Sequence, residues 1–262
     1  MKRSFQQNWK LYLMEAFGLA IFMISACFFG GLLEAKNSFI HQSIQNSFIR
    51  LCIMGILMGL TAIFIFYSSW TAPSGSHINP AVTLAFLRAG RINKYDTIFY
   101  ILFQFIGGTI AVYLMQLLMG RMLTDFPVNS AATVPGKGGT LAAFEMELVI
   151  GFIMMTMVMF TSSNERSKKY TRIIAGCMVC LYVIIAGPVS GFGMNPARSF
   201  ASALPSSTWT AAWIYLIVPI VGMMAAVEFF FFIQKRKNTK QGNNKKMIPE
   251  KKRVFESLES VL

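Results

Sequence analysis

The sequence predicts an all-α membrane protein with six transmembrane helices and two re-entrant half-helices in an inverted repeat. Three observations predict it. Hydrophobic residues make up 55% of the chain and charged residues 13%, with a mean hydropathy of +0.53, whereas a soluble domain carries ~25% charged residues. Six long apolar runs stand out, at 11–33, 51–70, 97–119, 141–163, 173–189 and 209–233. One eight-residue phrase is written twice, as Ser-Gly-Ser-His-Ile-Asn-Pro-Ala at 74–81 and Ser-Gly-Phe-Gly-Met-Asn-Pro-Ala at 190–197, offset by 116 residues.

The first run follows a short polar segment, 1–10, predicted as a cytoplasmic N-terminus. It lacks a small-residue cleavage pattern and exceeds an ordinary signal core, so it reads as a retained span. The second and third runs complete a first repeat over 11–119. A polar connection, 120–140, holds Pro127, Pro135, Gly136, Gly138 and Gly139. The remaining three runs form a second repeat over 141–233, of which 173–189 sits at the short end of the ~17–25 residues a bilayer span needs. Three spans per half is an odd number, so the second half enters the membrane upside down relative to the first. A basic tail, 234–262, follows and is expected to be solvated near acidic lipid.

The duplicated phrase explains the half-helices. Asn79 and Asn195 suit the N-cap, and Pro80 and Pro196 suit the first helical position, where a missing N–H costs nothing. Ala81 and Ala197 then begin stretches near 79–89 and 195–204, which Ala89-Gly90 and Pro205 are expected to stop. Neither stretch is long enough to cross a bilayer, and non-helical backbone at that depth survives only against protein or a water-filled cavity. Two such helices meeting N-terminus to N-terminus converge their positive dipole ends at the two asparagines. The stretches 73–78 and 189–194 are expected to line a pore with carbonyls, Gly75, Gly191 and Gly193 permitting the backbone angles required.

A net charge of +13 is of the sign that suits nucleic acid, but its placement fits a membrane. With the N-terminus inside, 19 Lys or Arg fall on the inner side and four, Lys36, Arg50, Arg121 and Lys137, on the other, a positive-inside bias that puts both termini in the cytoplasm. Nucleic-acid binding is therefore not expected. Cys27, Cys52, Cys177 and Cys180 lie in apolar runs without a second Cys pair or ligand histidine, so they read as small packing residues, with no metal and no cofactor. Nor does the chain show the constellation a hydrolytic enzyme needs.

With these residues in view, the chain resembles the aquaporin family, the major intrinsic proteins. The resemblance rests on Ser-Gly-x-x-x-Asn-Pro-Ala twice, Arg198 directly after the second motif, Gln104-Phe-Ile-Gly-Gly108 in the third span, and Pro219 with Gly222 in the sixth. It implies an aquaporin-like fold, a homotetramer with one pore per subunit in the plasma membrane, and a passive channel whose partners are water and small neutral solutes. It makes Arg198, Phe192, Val183 and a residue of the second span the selectivity filter. Met58 is preferred for that last place, with Gly59 the alternative one position on. Glu15 and Glu147 match the family's buried glutamates, which accept hydrogen bonds from the re-entrant loops. Phe192 and Val183 lean toward glycerol facilitators, whereas Ser199 and Ala203 depart from them, giving a mixed filter. A strictly water-selective channel and a proton-coupled transporter working through Glu15 or Glu147 are the competing readings.

Overall fold

The apolar runs become helices that pack as two similar halves. A computed structural model describes residues 1–240. In chain order its α-helices are α1 (Lys2–Glu34), α2 (Phe39–Ser43), α3 (Ser47–Tyr67), α4 (Pro80–Arg88), α5 (Lys94–Met119), α6 (Arg121–Thr124), α7 (Gly139–Ser162), α8 (Thr171–Ser190), α9 (Pro196–Ser206) and α10 (Ala212–Lys240). Six of them, α1, α3, α5, α7, α8 and α10, are long and apolar enough to cross a membrane. Their outward faces carry exposed large apolar side chains such as Phe28, Ile56, Leu60, Ile110 and Ile185, as lipid contact requires.

In each half the first span packs on the third, α1 on α5 and α7 on α10, while α3 and α8 join the halves. Small residues set these approaches. A Cβ on Gly107 would lie 2.2 Å from the Ala16 carbonyl oxygen, and one on Gly222 would lie 2.6 Å from that of Leu148. At the α3–α8 seam a Cβ on Gly59 would stand 2.8 Å from Cys180 Cβ and 2.9 Å from the Gly176 oxygen. Position 59 therefore faces helix packing.

Several boundaries depart from the sequence expectation. The segment 1–10 is the start of α1 instead of a separate terminus. Ser4, Asn8 and Tyr12 recur every four residues on one face of α1, and all three donate to Asp96 at the start of α5, at 2.5, 3.1 and 2.5 Å. Asn93 caps α5 and also donates to Asp96. Pro205 does not stop the second half-helix, which continues to Ser206. In a last turn a proline forfeits a single hydrogen bond, and Gln116 Nε2 donates to its carbonyl at 3.1 Å. Ser207, in the left-handed conformation, ends the helix instead. Of the expected tail, 234–240 continues α10, and the rest lies outside the described residues. Among the four cysteines only Cys27 is buried, and Cys177 is exposed on the apolar surface, so burial is not the common rule expected for them.

Candidate functional site

The two half-helices α4 and α9 meet at their N-termini in the interior. Asn79 and Asn195 take extended backbone angles, and each side-chain oxygen caps its own helix. Asn79 Oδ1 accepts from Ala81 N at 2.8 Å, and Asn195 Oδ1 accepts from Ala197 N at 3.1 Å and Arg198 N at 3.2 Å. Pro80 and Pro196 open the helices, with Ala81 and Ala197 fully buried behind them. The side-chain nitrogens reach across. Asn79 Nδ2 donates to the Met194 carbonyl at 2.9 Å, and Asn195 Nδ2 donates to the Ile78 carbonyl at 2.7 Å. Each loop thus ends on the other loop's asparagine.

A buried carboxylate holds each loop. Glu15 on α1 accepts from Ser74 Oγ at 2.6 Å, His77 N at 2.9 Å, Ile78 N at 2.6 Å and Gln104 Nε2 at 2.7 Å. Glu147 on α7 accepts from Ser190 Oγ at 2.7 Å, Gly193 N at 2.8 Å and Met194 N at 2.5 Å. Both glutamates are 0% exposed. A buried carboxylate is costly unless donors surround it, and the equivalent donors of the two repeats supply that surround. The repeated Ser of each Ser-Gly is one of them, a task that its motif alone does not reveal.

The loop backbones share an unusual alternation. Ser76 and Ile78 have φ of 48° and 42°, and Phe192 and Met194 have 51° and 45°, following Gly75 at 86° and Gly191 at 78°. Non-glycine residues held there cost ~1–3 kcal/mol each and persist only where their surroundings fix them. The carboxylates, by gripping the amides of residues 77, 78, 193 and 194, do so. Gly193 differs from expectation, having no positive φ. It is needed for space, since a Cβ would lie 2.5 Å from the Tyr215 ring.

Between these parts runs a cavity of about 290 Å³. Its lining includes Lys168, Thr171 and Arg172, an apolar wall with Phe66, Val82, Phe86 and Val158, and Asn79, Asn195, Phe192 and Arg198. His77 lies on the wall, its Nδ1 sharing a hydrogen bond of 3.2 Å with Thr83 Oγ1 and its ring against Phe86 and Tyr100. Met58 and Val183, 2% and 8% exposed, sit in the apolar cluster against which Phe192 packs. Neither side chain lies on the wall of that cavity. Arg198 Nη1 donates to Thr133 Oγ1, on a residue of the connection between the repeats that no motif marks. Among the described residues no three His, Cys, Asp or Glu side chains converge on a point that could hold a metal ion.

Two facing half-helices, each cradled by a buried glutamate inside a six-span inverted repeat, define a class of integral membrane protein built around a central passage. A model of the major intrinsic protein family matches residues 2–230. The chain is 32% identical over 212 residues to Aquaporin NIP1-1 of Zea mays, covering 80% of this chain and 70% of that protein. It is 37% identical over 179 residues to Aquaporin NIP1-2 of Arabidopsis thaliana, with 66% and 59% covered, and 34% identical over 173 residues to Nodulin-26 of Glycine max, with 66% and 62% covered. Two of these three alignments thus span less than two thirds of the relative's own length. The solved X-ray structure of the aquaglyceroporin from Plasmodium falciparum superposes with a TM-score of 0.73 at 19% identity, covering 85% of this chain and 95% of that one, which shows the fold. The chain belongs to the major intrinsic protein family and is a multi-pass membrane protein.

Proposed function

We propose that the protein is a passive transmembrane channel, and not an enzyme, for water and small uncharged solutes such as glycerol. The observation that carries this reading is the single cavity whose lining holds Lys168, Arg172, both asparagines and Arg198. Each Asn Nδ2 has two hydrogens and spends one on the opposite loop, leaving one for an oxygen in the cavity. An oxygen accepting from both turns its own hydrogens outward, which breaks a proton-conducting chain, and the converging helix dipoles repel cations.

A proton-coupled transporter fits less well. Glu15 and Glu147 do not line the cavity, and their oxygens are engaged by four and three donors. In the filter, Phe192 and Arg198 provide an apolar and a polar side on the cavity wall, and the resemblance supports Val183 and Met58, which share the apolar cluster that Phe192 packs against, as its other two members. Gly59 is spoken for by the α3–α8 seam, which favours Met58. The excess of Lys and Arg on one face supports cytoplasmic termini, and the resemblance supports a homotetramer in the plasma membrane.

Stopped-flow measurement of water and glycerol permeability in liposomes carrying the purified protein tests the function. Both fluxes are expected to exceed those of empty liposomes, with weak temperature dependence and no response to a proton gradient. Flux that saturates at low solute concentration and collapses with the proton gradient overturns the channel in favour of a transporter. Complete exclusion of glycerol restricts it to water. Val183→His narrows the filter and adds a polar group, so it is expected to cut glycerol flux more than water flux; an unchanged ratio removes Val183 from the filter.

A further inference from the structure

We infer that Thr133 is a positioning residue for the Arg198 guanidinium and thereby a determinant of selectivity. The inference rests on the channel reading above. Arginine is a long, rotamer-rich side chain that holds one orientation only where partners hold it. Among the described residues the guanidinium has one side-chain hydrogen-bond partner, the Thr133 hydroxyl, and no carboxylate within ion-pair range. Thr133 is buried, and its Oγ1 lies 3.4 Å from the buried Ser199 hydroxyl. Both of these neighbours are neutral, so this contact orients the arginine without adding a charge of its own.

The segment that carries Thr133 is itself fixed. Gln116 Nε2 donates to Ser130 Oγ at 2.9 Å, Asn129 Nδ2 donates to Thr208 Oγ1 at 3.0 Å, and Gly136 N donates to the Val189 carbonyl at 2.9 Å. A Cβ on Gly136 would stand 2.0 Å from the Pro188 oxygen, and one on Gly191 would stand 3.0 Å from Thr133 Cγ2. The connection between the repeats is thus seated directly on the second re-entrant loop, and it delivers one hydroxyl to the charge at the end of the cavity. A hydrogen bond from a charged donor is strong enough to shift the population of the held orientation about tenfold or more.

The test compares Thr133→Val, which keeps the shape and deletes the acceptor, with Thr133→Ser, which keeps the acceptor. Proton leak and the glycerol-to-water permeability ratio are read in liposomes at matched protein content, beside thermal unfolding in detergent. Thr133→Val is expected to change one or both flux readouts by about threefold or more at nearly unchanged unfolding temperature, and Thr133→Ser to behave as wild type. If Thr133→Val does not fold, Thr133→Ala removes the same acceptor with less bulk. Wild-type leak and ratio in the valine or alanine variant overturn the proposal, as do equal changes in the serine variant, which would make shape the cause. Wild-type protein that passes neither water nor glycerol overturns the channel reading and this proposal with it.

Discussion

Replacing Glu147 with alanine will lower the thermal unfolding temperature of the protein more than any substitution on the cavity wall. The carboxylate accepts from Ser190 Oγ, Gly193 N and Met194 N, and Phe192 and Met194 beside it are held at positive φ. Its removal leaves three buried donors without their acceptor, at ~1–3 kcal/mol for each that water does not reach. A loss of roughly 3 kcal/mol corresponds to about 6–12 °C at ~2–4 °C per kcal/mol for a chain of this size. Glu147→Gln keeps one carbonyl oxygen but turns an amide toward donors, so an intermediate loss is expected. The measurement is unfolding in detergent followed by scanning fluorimetry. An alanine variant that melts within about 2 °C of wild type would show that the second loop is held by something else, since at ~2–4 °C per kcal/mol so small a shift leaves no three-donor penalty.

Arg198→Val carries the largest expected effect on selectivity. The substitution removes a fixed charge at the end of the cavity together with its donors, while Asn195 continues to cap α9 through Ala197 N. Proton or ion leak is expected to rise by about tenfold, because a barrier lowered by ~1.4 kcal/mol is a tenfold change in rate. Neutral-solute flux is expected to stay the same or increase. Leak at the wild-type level in well-folded variant protein, measured with a pH-sensitive dye inside the liposomes, would remove Arg198 from ion exclusion.

Much of the architecture was legible because membranes impose simple rules. Span lengths follow from bilayer thickness, and the duplicated phrase carries both the cap and the first helical residue of each half-helix. The start of α1 was not legible, since Ser4 and Asn8 look like solvated polar residues until Asp96, distant in sequence, is placed beside them. Pro205 misled for a related reason: a proline reads as a stop, but in a final turn it costs little, and a side chain from α5 satisfies its carbonyl. At the site, Asn79, Asn195 and Arg198 announced themselves through motif and charge. Thr133 did not, because nothing local marks one threonine of a polar connection as the partner of an arginine. The left-handed backbone was assigned to glycines, whereas Ser76, Ile78, Phe192 and Met194 share it. Such strain is imposed by buried carboxylates and cannot be read from the propensities of the strained residues.

The reciprocal bonds from Asn79 to Met194 and from Asn195 to Ile78 join residues 115 and 117 positions apart. During synthesis the first half-helix is complete long before the residues that close over it exist. Loop-closure entropy is paid late in such a topology, and the Asn79 amide has no Met194 carbonyl to meet until the second repeat has been made and docked. The junction of the two half-helices is therefore the last part to be finished, and a ribosome stalled between the repeats leaves behind a membrane-embedded half with its Asn79 amide unmatched.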